Sequence, residues 1–257
     1  VHSDDTGIIG ARVLQGHEPS LNDLLDLDAG ARLVADLPTP SVALIRHTDP
    51  IGVATAETPL GALTRAIETD AAASSGSTIA LNVPIDRGVA AVIAAGTFES
   101  VLAPALADDA AAEILRSRPE LTVMIDPMHR AQDVDMIGVR GAVLLQTADT
   151  GDIERSQLRV VTERRPTLDE LTDLLFSWRV VRHVRSNAIV VARNAATLGI
   201  GAAQVNRRVA VDLALSQAGE RGRGAVMASD AYFPFAEGIA AAAAAGVTAI
   251  VQPGGSR

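Results

Sequence analysis

The chain has 257 residues, 48% of them apolar and 21% charged, which is enough to bury the core of one large or two medium-sized domains. Its net charge of −9 argues against a general nucleic-acid-binding protein, because such proteins present a basic surface to phosphates. The lack of Cys excludes disulfides and thiol nucleophiles, and the lack of Lys excludes Schiff-base chemistry, since all 22 basic residues are Arg.

Targeting signals are not evident in the sequence. No run of 18 apolar residues free of charge occurs, so no membrane span is predicted. The first ten residues lack the basic and apolar regions of a signal peptide. We therefore expect a cytoplasmic protein.

Apolar strand-like runs alternate with helical segments along the chain, which predicts an α/β fold. In chain order the predicted elements are a strand at 41–45, a helix at 61–69, a strand at 78–81, helices at 87–95 and 108–116, strands at 121–125 and 141–145, a helix at 167–184, a strand at 188–192, a helix at 204–217, a strand at 224–228, a helix at 236–245 and a strand at 247–251.

A polar, turn-rich segment at 146–165 divides this pattern into two similar halves. We predict a first lobe at 1–150 and a second at 151–257. Each half places a Pro-containing turn directly after a strand, at 47–50 and at 230–234. Since ligands in open α/β sheets bind at the ends of strands, both turns are expected to face a shared crevice.

His47 is the first candidate for chemistry, because it follows a predicted strand directly and adjoins Arg46. An imidazole there suits a general base, although a single His is more often structural. The sequence has no His-x-Glu or His-Glu-x-x-His pattern, so a metal hydrolase is not expected.

Three of the six aromatic residues, Tyr232, Phe233 and Phe235, lie close together after Asp230. Such a cluster either forms a wall for a flat ligand or packs as a local core under a loop. Upstream, the glycines of 199–201 are interpreted as a turn that opens the helix at 204–217. Arg207 and Arg208, in its first turn, either have an anionic partner or are solvated surface residues.

Several blocks follow one another in the order of a known family. They are 160–167 (VVTERRPT), 173–181 (DLLFSWRVV), 183–190 (HVRSNAIV), 199–207 (GIGAAQVNR), 229–235 (SDAYFPF) and 252–256 (QPGGS), preceded by 14–16, 22–26, 46–52 and 80–82. Together they resemble the transformylase portion of the bifunctional 5-aminoimidazole-4-carboxamide ribonucleotide (AICAR) formyltransferase/IMP cyclohydrolase family. The resemblance covers nearly the whole chain.

The resemblance implies two tandem cytidine-deaminase-like α/β/α lobes without zinc, and a homodimer with its sites at the interface. It implies direct formyl transfer from the co-substrate 10-formyltetrahydrofolate to an amine. By this likeness His47 matches the general base, Arg46 stands where the family usually has a Lys that stabilises the oxyanion, and Asn187 matches the residue that orients the amine and formyl group.

The ligand-binding positions also carry over by resemblance. Gly76 and Glu99 match positions that bind the ribonucleotide, and the folate side is matched by Arg207, Asp230, Phe233 and Gly255.

The departures from the family leave the acceptor open. The cyclohydrolase part and two Arg-bearing segments beyond the matched blocks are not found in the chain, and Ser75 replaces a Phe. We therefore expect no cyclohydrolase activity and weaker nucleotide binding. Three interpretations remain: a formyltransferase that uses AICAR or a related amine, an AICAR transformylase that depends on a partner subunit, and a non-catalytic binding subunit.

Overall fold

The computed structural model describes residues 7–127, 134–149 and 151–254. Its strands are β1 (Arg12–Gln15), β2 (Ser41–Arg46), β3 (Asp49–Thr55), β4 (Thr78–Leu81), β5 (Ser100–Ala103), β6 (Thr122–Ile125), β7 (Val134–Val139), β8 (Ala142–Thr147), β9 (Ile189–Arg193), β10 (Ala196–Gly201), β11 (Val226–Ser229) and β12 (Ala249–Val251). Its α-helices are α1 (Leu21–Ala35), α2 (Pro59–Thr69), α3 (Arg87–Ala95), α4 (Asp109–Leu115), α5 (Leu168–Val181), α6 (Arg207–Ala218) and α7 (Glu237–Ala244). Within the described ranges, none of the helices is long and apolar enough to cross a membrane.

Ten of the strands form one mixed sheet in the order β1-β6-β5-β4-β2-β3-β10-β9-β11-β12, and β7 and β8 form a separate hairpin. Successive strand residues face opposite sides of the sheet, so each face carries its own core. Ala43 and Val190 pack with α1 and α5 on one face. Val42 packs with α2, α3 and α4, and Val191 with α6 and α7, on the other. The predicted α/β class is therefore confirmed, and helices cover both faces of the sheet.

The predicted strands and helices are all present within a few residues, but β1, β3, β5, β7, β10 and α1 were not predicted. The sequence predicts a Pro-containing turn at 47–50, where the structure has the first residues of β3. Pro50 is tolerated because it lies at the start of the strand, opposite Ile45 and beside a register shift between β2 and β3.

The two halves of the chain repeat one order of elements. The first half runs α1-β2-β3-α2-β4-α3-β5, and the second runs α5-β9-β10-α6-β11-α7-β12. Both repeats start with a capping box, formed at Ser20 for α1 and at Thr167 for α5. The repeats join edge to edge where β3 pairs antiparallel with β10, so one sheet continues through both. Their likeness to cytidine deaminases, and the boundary near residue 150, stay predictions.

The repeats run in opposite directions within the sheet, because β2-β3 and β10-β9 are both antiparallel hairpins joined by an antiparallel pair. Equivalent turns therefore lie at opposite ends of the sheet. The turn at His47 and Thr48 corresponds to the turn at Asn194 and Ala195, and all four residues have positive φ. The two Pro-containing turns of the sequence are thus not equivalent, although both lie at one end of the sheet.

The interpretation of residues 199–201 as a helix-opening turn is wrong, because they belong to strand β10. The glycines are required by the close approach of α6. A Cβ at Gly199 would lie 2.0 Å from the carbonyl oxygen of Ala214, and one at Gly201 would lie 2.0 Å from that of Ala210. The same approach recurs in the other repeat, where a Cβ at Gly52 would lie 2.1 Å from the oxygen of Ala66 in α2.

Replacing Gly199 with Ala should lower the free energy of unfolding by about 2–3 kcal/mol, since the extra methyl group has to displace helix backbone. Urea unfolding monitored by circular dichroism measures the change. Gly138→Ala is the control, because a Cβ at Gly138 in β7 meets nothing within 4 Å. Equal stabilities for the two variants would contradict the packing argument.

Candidate functional site

One end of the ten-stranded sheet collects the candidate residues of both repeats. β2, β10 and β11 finish at this end, while β4, β5 and β9 begin there, as follows from their parallel or antiparallel pairing. Loops at the ends of strands are the usual place for ligand-binding side chains. The residues brought to this end are Arg46, His47, Gly76, Glu99, Asn187 and Asp230.

Arg46, Gly76 and Glu99 form a first group, which we call the Arg46 group. Arg46 Nη1 donates to the carbonyl oxygens of Ala73 and Ser75, at 3.3 and 2.9 Å, so its guanidinium is fixed over this loop. Gly76 has a φ of 71° and lacks a side chain between the two charges. A Cβ there would lie 3.4 Å from Glu99 Oε1 and 3.9 Å from Arg46 Nη2.

His47 follows Arg46 in the turn between β2 and β3. Its side chain is exposed, so the ring is accessible to a bound molecule. Both turn residues have positive φ, 55° for His47 and 68° for Thr48. Their backbone N–H groups donate to one carboxylate, that of Asp26 in α1. The turn therefore places an exposed imidazole next in sequence to the guanidinium of Arg46.

Asn187, Arg207 and Asp230 form a second group, the Arg207 group. Arg207 Nη2 donates to Asn187 Oδ1 at 2.8 Å, and its Nη1 donates to Asp230 Oδ1 and to Ser229 Oγ. The side chains of Arg207 and Asp230 are only 11% and 14% exposed. The predicted anionic partner of Arg207 is therefore Asp230, while Arg208 pairs with Asp212 one turn along α6.

The carboxylate of Asp230 is largely buried, and both of its oxygens accept hydrogen bonds. Burial alone would raise the pKa of Asp230, but hydrogen bonds from Arg207, Ser186 and the backbone N–H of Ala188 outweigh it and lower the pKa. The group is consequently ionised at neutral pH. Its stabilising contribution is present above the ordinary carboxyl pKa and is lost only as the pH falls through the lowered value.

Both polar atoms of the Asn187 side-chain amide are hydrogen-bonded. Nδ2 donates to the carbonyl oxygen of Gln204 at 2.7 Å, and Oδ1 accepts from Arg207. An Asn side chain has two donor hydrogens and two acceptor lone pairs, so one of each remains for a ligand. The peptide bond between Ser186 and Asn187 is cis.

The aromatic cluster after Asp230 divides between core and surface. Phe233 packs against the core formed by α6 and α7, and its N–H donates to Gln252 Oε1 at 2.8 Å. Tyr232 and Phe235 are 37% and 74% exposed. Phe233 therefore agrees with the interpretation as a local core, while a ligand-binding role of the exposed rings stays a prediction. Gly255, the last predicted folate-side residue, lies outside the described residues.

Further charged contacts surround the two groups. Asp49, beside the His47 turn, accepts from the backbone N–H and Nε of Arg185, at 2.9 and 2.7 Å, and so ties the first repeat to the loop that carries Asn187. A cleft of about 420 Å³ borders the Arg46 group; it is lined by His17, Asp23, Thr97, Phe98, Glu99, Arg118, Glu120 and Thr122. Across the described residues, no group of three or more His, Asp or Glu is placed to hold a metal ion.

Sequence reasoning missed several residues that build this end of the sheet, namely Asp26, Asp49, Arg185, Ser186 and Ser229. All five lie within blocks that resemble the family, so their position in those blocks is the available signal. Asp49 and Arg185 are far apart in sequence and only the fold pairs them.

The family described as "AICARFT/IMPCHase bienzyme" matches residues 1–217 of the chain. The "Bifunctional purine biosynthesis protein PurH" of Trichodesmium erythraeum is 44% identical over 248 residues, which are 96% of this chain and 48% of that protein. The proteins of that name from Anoxybacillus flavithermus and Nostoc sp. are 42% and 44% identical, over 99% and 98% of this chain and 50% of their own lengths. The chain therefore spans about half the length of the curated relatives it matches.

Proposed function

This chain belongs to the AICARFT/IMPCHase bienzyme family, and we propose that it catalyses transfer of a formyl group from 10-formyltetrahydrofolate to the amine of AICAR. The observation that carries the proposal is the placement of the Arg46 group, the exposed imidazole of His47 and the Arg207 group at the same end of the sheet. In this role the protein acts as a transferase of purine biosynthesis, and we place it in the cytoplasm.

The proposed chemistry is a direct transfer without a covalent enzyme intermediate. The amine nitrogen attacks the formyl carbon, the carbonyl oxygen becomes an oxyanion, and the bond from the formyl carbon to the folate nitrogen then breaks as that nitrogen takes up a proton. His47 removes the proton that the amine loses. The guanidinium of Arg46, which is permanently charged and held by two carbonyl oxygens, stabilises the oxyanion.

The Arg46 group is proposed to bind the amine acceptor, and the Arg207 group is proposed to bind the folate donor. On the acceptor side, the bare backbone of Gly76 opens access to Glu99, whose carboxylate can accept from ribose hydroxyls. On the donor side, Asn187 keeps one donor and one acceptor for the formyl end, while the exposed rings of Tyr232 and Phe235 offer a surface for a flat heterocycle.

The loop that carries Ser75 bears on which amine the site accepts. The hydroxyl of Ser75 accepts from Thr97 Oγ1 at 2.8 Å, and this residue itself offers no aromatic ring to a ligand. A smaller contact surface favours either weak binding of AICAR or a related amine. AICAR is the acceptor we propose, because the hydroxyls of its ribosyl group can donate to Glu99 in the Arg46 group.

The experiment that tests the function has two arms. Calorimetry with 10-formyltetrahydrofolate and with AICAR measures binding, and competition among AICAR and related amines in one turnover assay ranks the acceptors. We expect both ligands to bind and AICAR to be preferred. Binding without turnover would indicate a non-catalytic or partner-dependent subunit, and preference for another amine would revise the acceptor. Failure to bind any folate would end the proposal.

A homodimer is also proposed, and the hairpin formed by β7 and β8 supports it. A two-stranded hairpin is marginally stable alone, so it normally packs on something. Here both faces are apolar and exposed: Met136 and Leu145 are opposite each other in the register, and so are their neighbours Ile137 and Leu144. An ion pair between Arg32 and Asp135 ties the hairpin to α1. A second copy of the chain is the occupant we propose.

Replacing Met136 and Leu145 together with Glu should convert a dimer into a monomer, because two desolvated charges would oppose association. Light scattering after size exclusion measures the mass, and the turnover assay reports whether sites at the interface are lost with it. Leu168→Glu, at an equally exposed apolar position on α5, is the control and should stay dimeric. A wild-type protein with the mass of one chain would contradict the dimer.

A further inference from the structure

The turn that carries His47 adopts a backbone conformation that its residues do not favour. His47 and Thr48 both have positive φ, and Thr is β-branched, so neither has the freedom of Gly in this region. Turns with two positive φ values usually contain Asn-Gly. We expect restraint from outside the turn in addition to the hydrogen bond that Thr48 Oγ1 donates to the carbonyl oxygen of His47 at 2.6 Å, since the exposed side chain of His47 has little packing.

The carboxylate of Asp26 supplies that restraint. Asp26 Oδ2 accepts from the N–H of His47 at 3.1 Å, and Oδ1 accepts from the N–H of Thr48 at 2.6 Å. Hydrogen bonds to an ionised acceptor are the stronger kind, and two of them fix the orientation of the turn. Asp26 lies in the second turn of α1, whose other side packs on the sheet.

The second repeat has the same arrangement, a helix Asp that accepts from two turn N–H groups, at a turn that carries no candidate catalytic residue. Asp173 in α5 accepts from the N–H of Asn194 at 2.8 Å and from that of Ala195 at 2.7 Å. The sequence separation from carboxylate to turn is 21 residues in both repeats. Because the repeats run in opposite directions, the turn at Asn194 lies at the end of the sheet away from the candidate site.

We propose that Asp26 is a positioning residue for formyl transfer, which holds the backbone of His47 so that its imidazole meets the amine. This inference rests on the function proposed above. Asp26 acts through the turn and does not contact the substrate. Asp173 holds the turn at Asn194 and contributes only to stability. The chain thus contains its own control, because Asp26 holds the turn that carries the proposed base and Asp173 holds a turn that does not.

The test compares Asp26→Asn with Asp173→Asn in the full chain. Each change replaces one acceptor oxygen with an NH₂ group that opposes a backbone N–H, so we expect similar shifts of the urea midpoint. Only Asp26→Asn should lower kcat, by about 10- to 100-fold, because small misplacements of a catalytic group have effects of that size. The KM for the folate should stay unchanged, and Asp173→Asn should keep the wild-type kcat.

A second substitution separates positioning from direct contact. Thr48→Gly removes the steric penalty of positive φ, so it stabilises the turn without the carboxylate. Asp26→Asn/Thr48→Gly should recover most of the lost kcat, with Thr48→Gly alone as reference. Loss of kcat without rescue would overturn the inference in favour of a substrate contact, and equal kcat in both Asn variants would overturn it altogether.

The outcome is distinguishable from failure of the proposed function. A wild-type protein without turnover refutes that function, yet the affinity of the same variants for AICAR in calorimetry still tests the turn. Binding that Asp26→Asn weakens, Asp173→Asn does not, and Thr48→Gly restores would support the inference, and equal binding by both Asn variants would overturn it.

Discussion

Replacing His47 with Asn is expected to lower kcat for formyl transfer by about 10²- to 10⁴-fold, the range for loss of a general base. The fold should be unaffected, because Asn tolerates positive φ and is the residue that the second repeat has in the equivalent turn, at Asn194. Stopped-flow or steady-state release of tetrahydrofolate measures kcat, and urea unfolding measures stability.

Asn194→His is the matched control, since it places an imidazole in the equivalent turn at the other end of the sheet. It should keep the wild-type kcat. A kcat within about threefold of wild type for His47→Asn, at saturating substrates and optimal pH, would show that the imidazole does not carry the proton transfer.

Arg207→Leu is expected to be the most destabilising change at the site, at about 3 kcal/mol. It leaves the buried carboxylate of Asp230 without its cation, and uncompensated buried charges carry penalties of that size. Ser186 and the N–H of Ala188 still donate to Asp230, which keeps the effect at the low end of that range. Thermal or urea unfolding measures the loss of stability, and calorimetry should show that folate binding is lost.

A double variant separates the structural role from the ligand role of Arg207. Asp230→Asn added to Arg207→Leu removes the buried charge, so most of the lost stability should return while folate binding stays lost. Arg208→Leu, which breaks an exposed pair with Asp212, should change stability by only about 0.5 kcal/mol. Folate binding that returns with stability would mean that Arg207 is structural only.

The elements that the sequence predicts correctly are those whose local signals, such as apolar runs and helix caps, agree with their burial in the fold. β4 and α3 were placed at their observed bounds, because a fully buried apolar run and an Asp-capped Ala- and Val-rich segment are strong signals. Helix α1 was missed, since three Asp residues and Gly30 weaken its helical pattern. The fold requires Gly30, because a Cβ there would lie 2.7 Å from the Cβ of Ala80 in β4.

The candidate site was predictable as a set of residues but not as an arrangement. Arg207 could be expected to have an anionic partner from its place in the first turn of a helix, yet only the antiparallel pairing of β9 with β11 brings Asp230 to it. Asp26 lies where no helix is predicted from the sequence, so its approach to the His47 turn could not be anticipated. Its role depends on the positive φ of two residues in a distant turn, which no local pattern of the sequence encodes.

The most direct measurement of the central claim is the stoichiometry of turnover by the wild-type protein with 10-formyltetrahydrofolate, in the presence and absence of AICAR. We predict that tetrahydrofolate release depends on AICAR, and that one formylated AICAR appears for each tetrahydrofolate. Release that is equally fast without AICAR, or a folded protein that binds both ligands and forms no formylated product, would contradict formyl transfer at this end of the sheet.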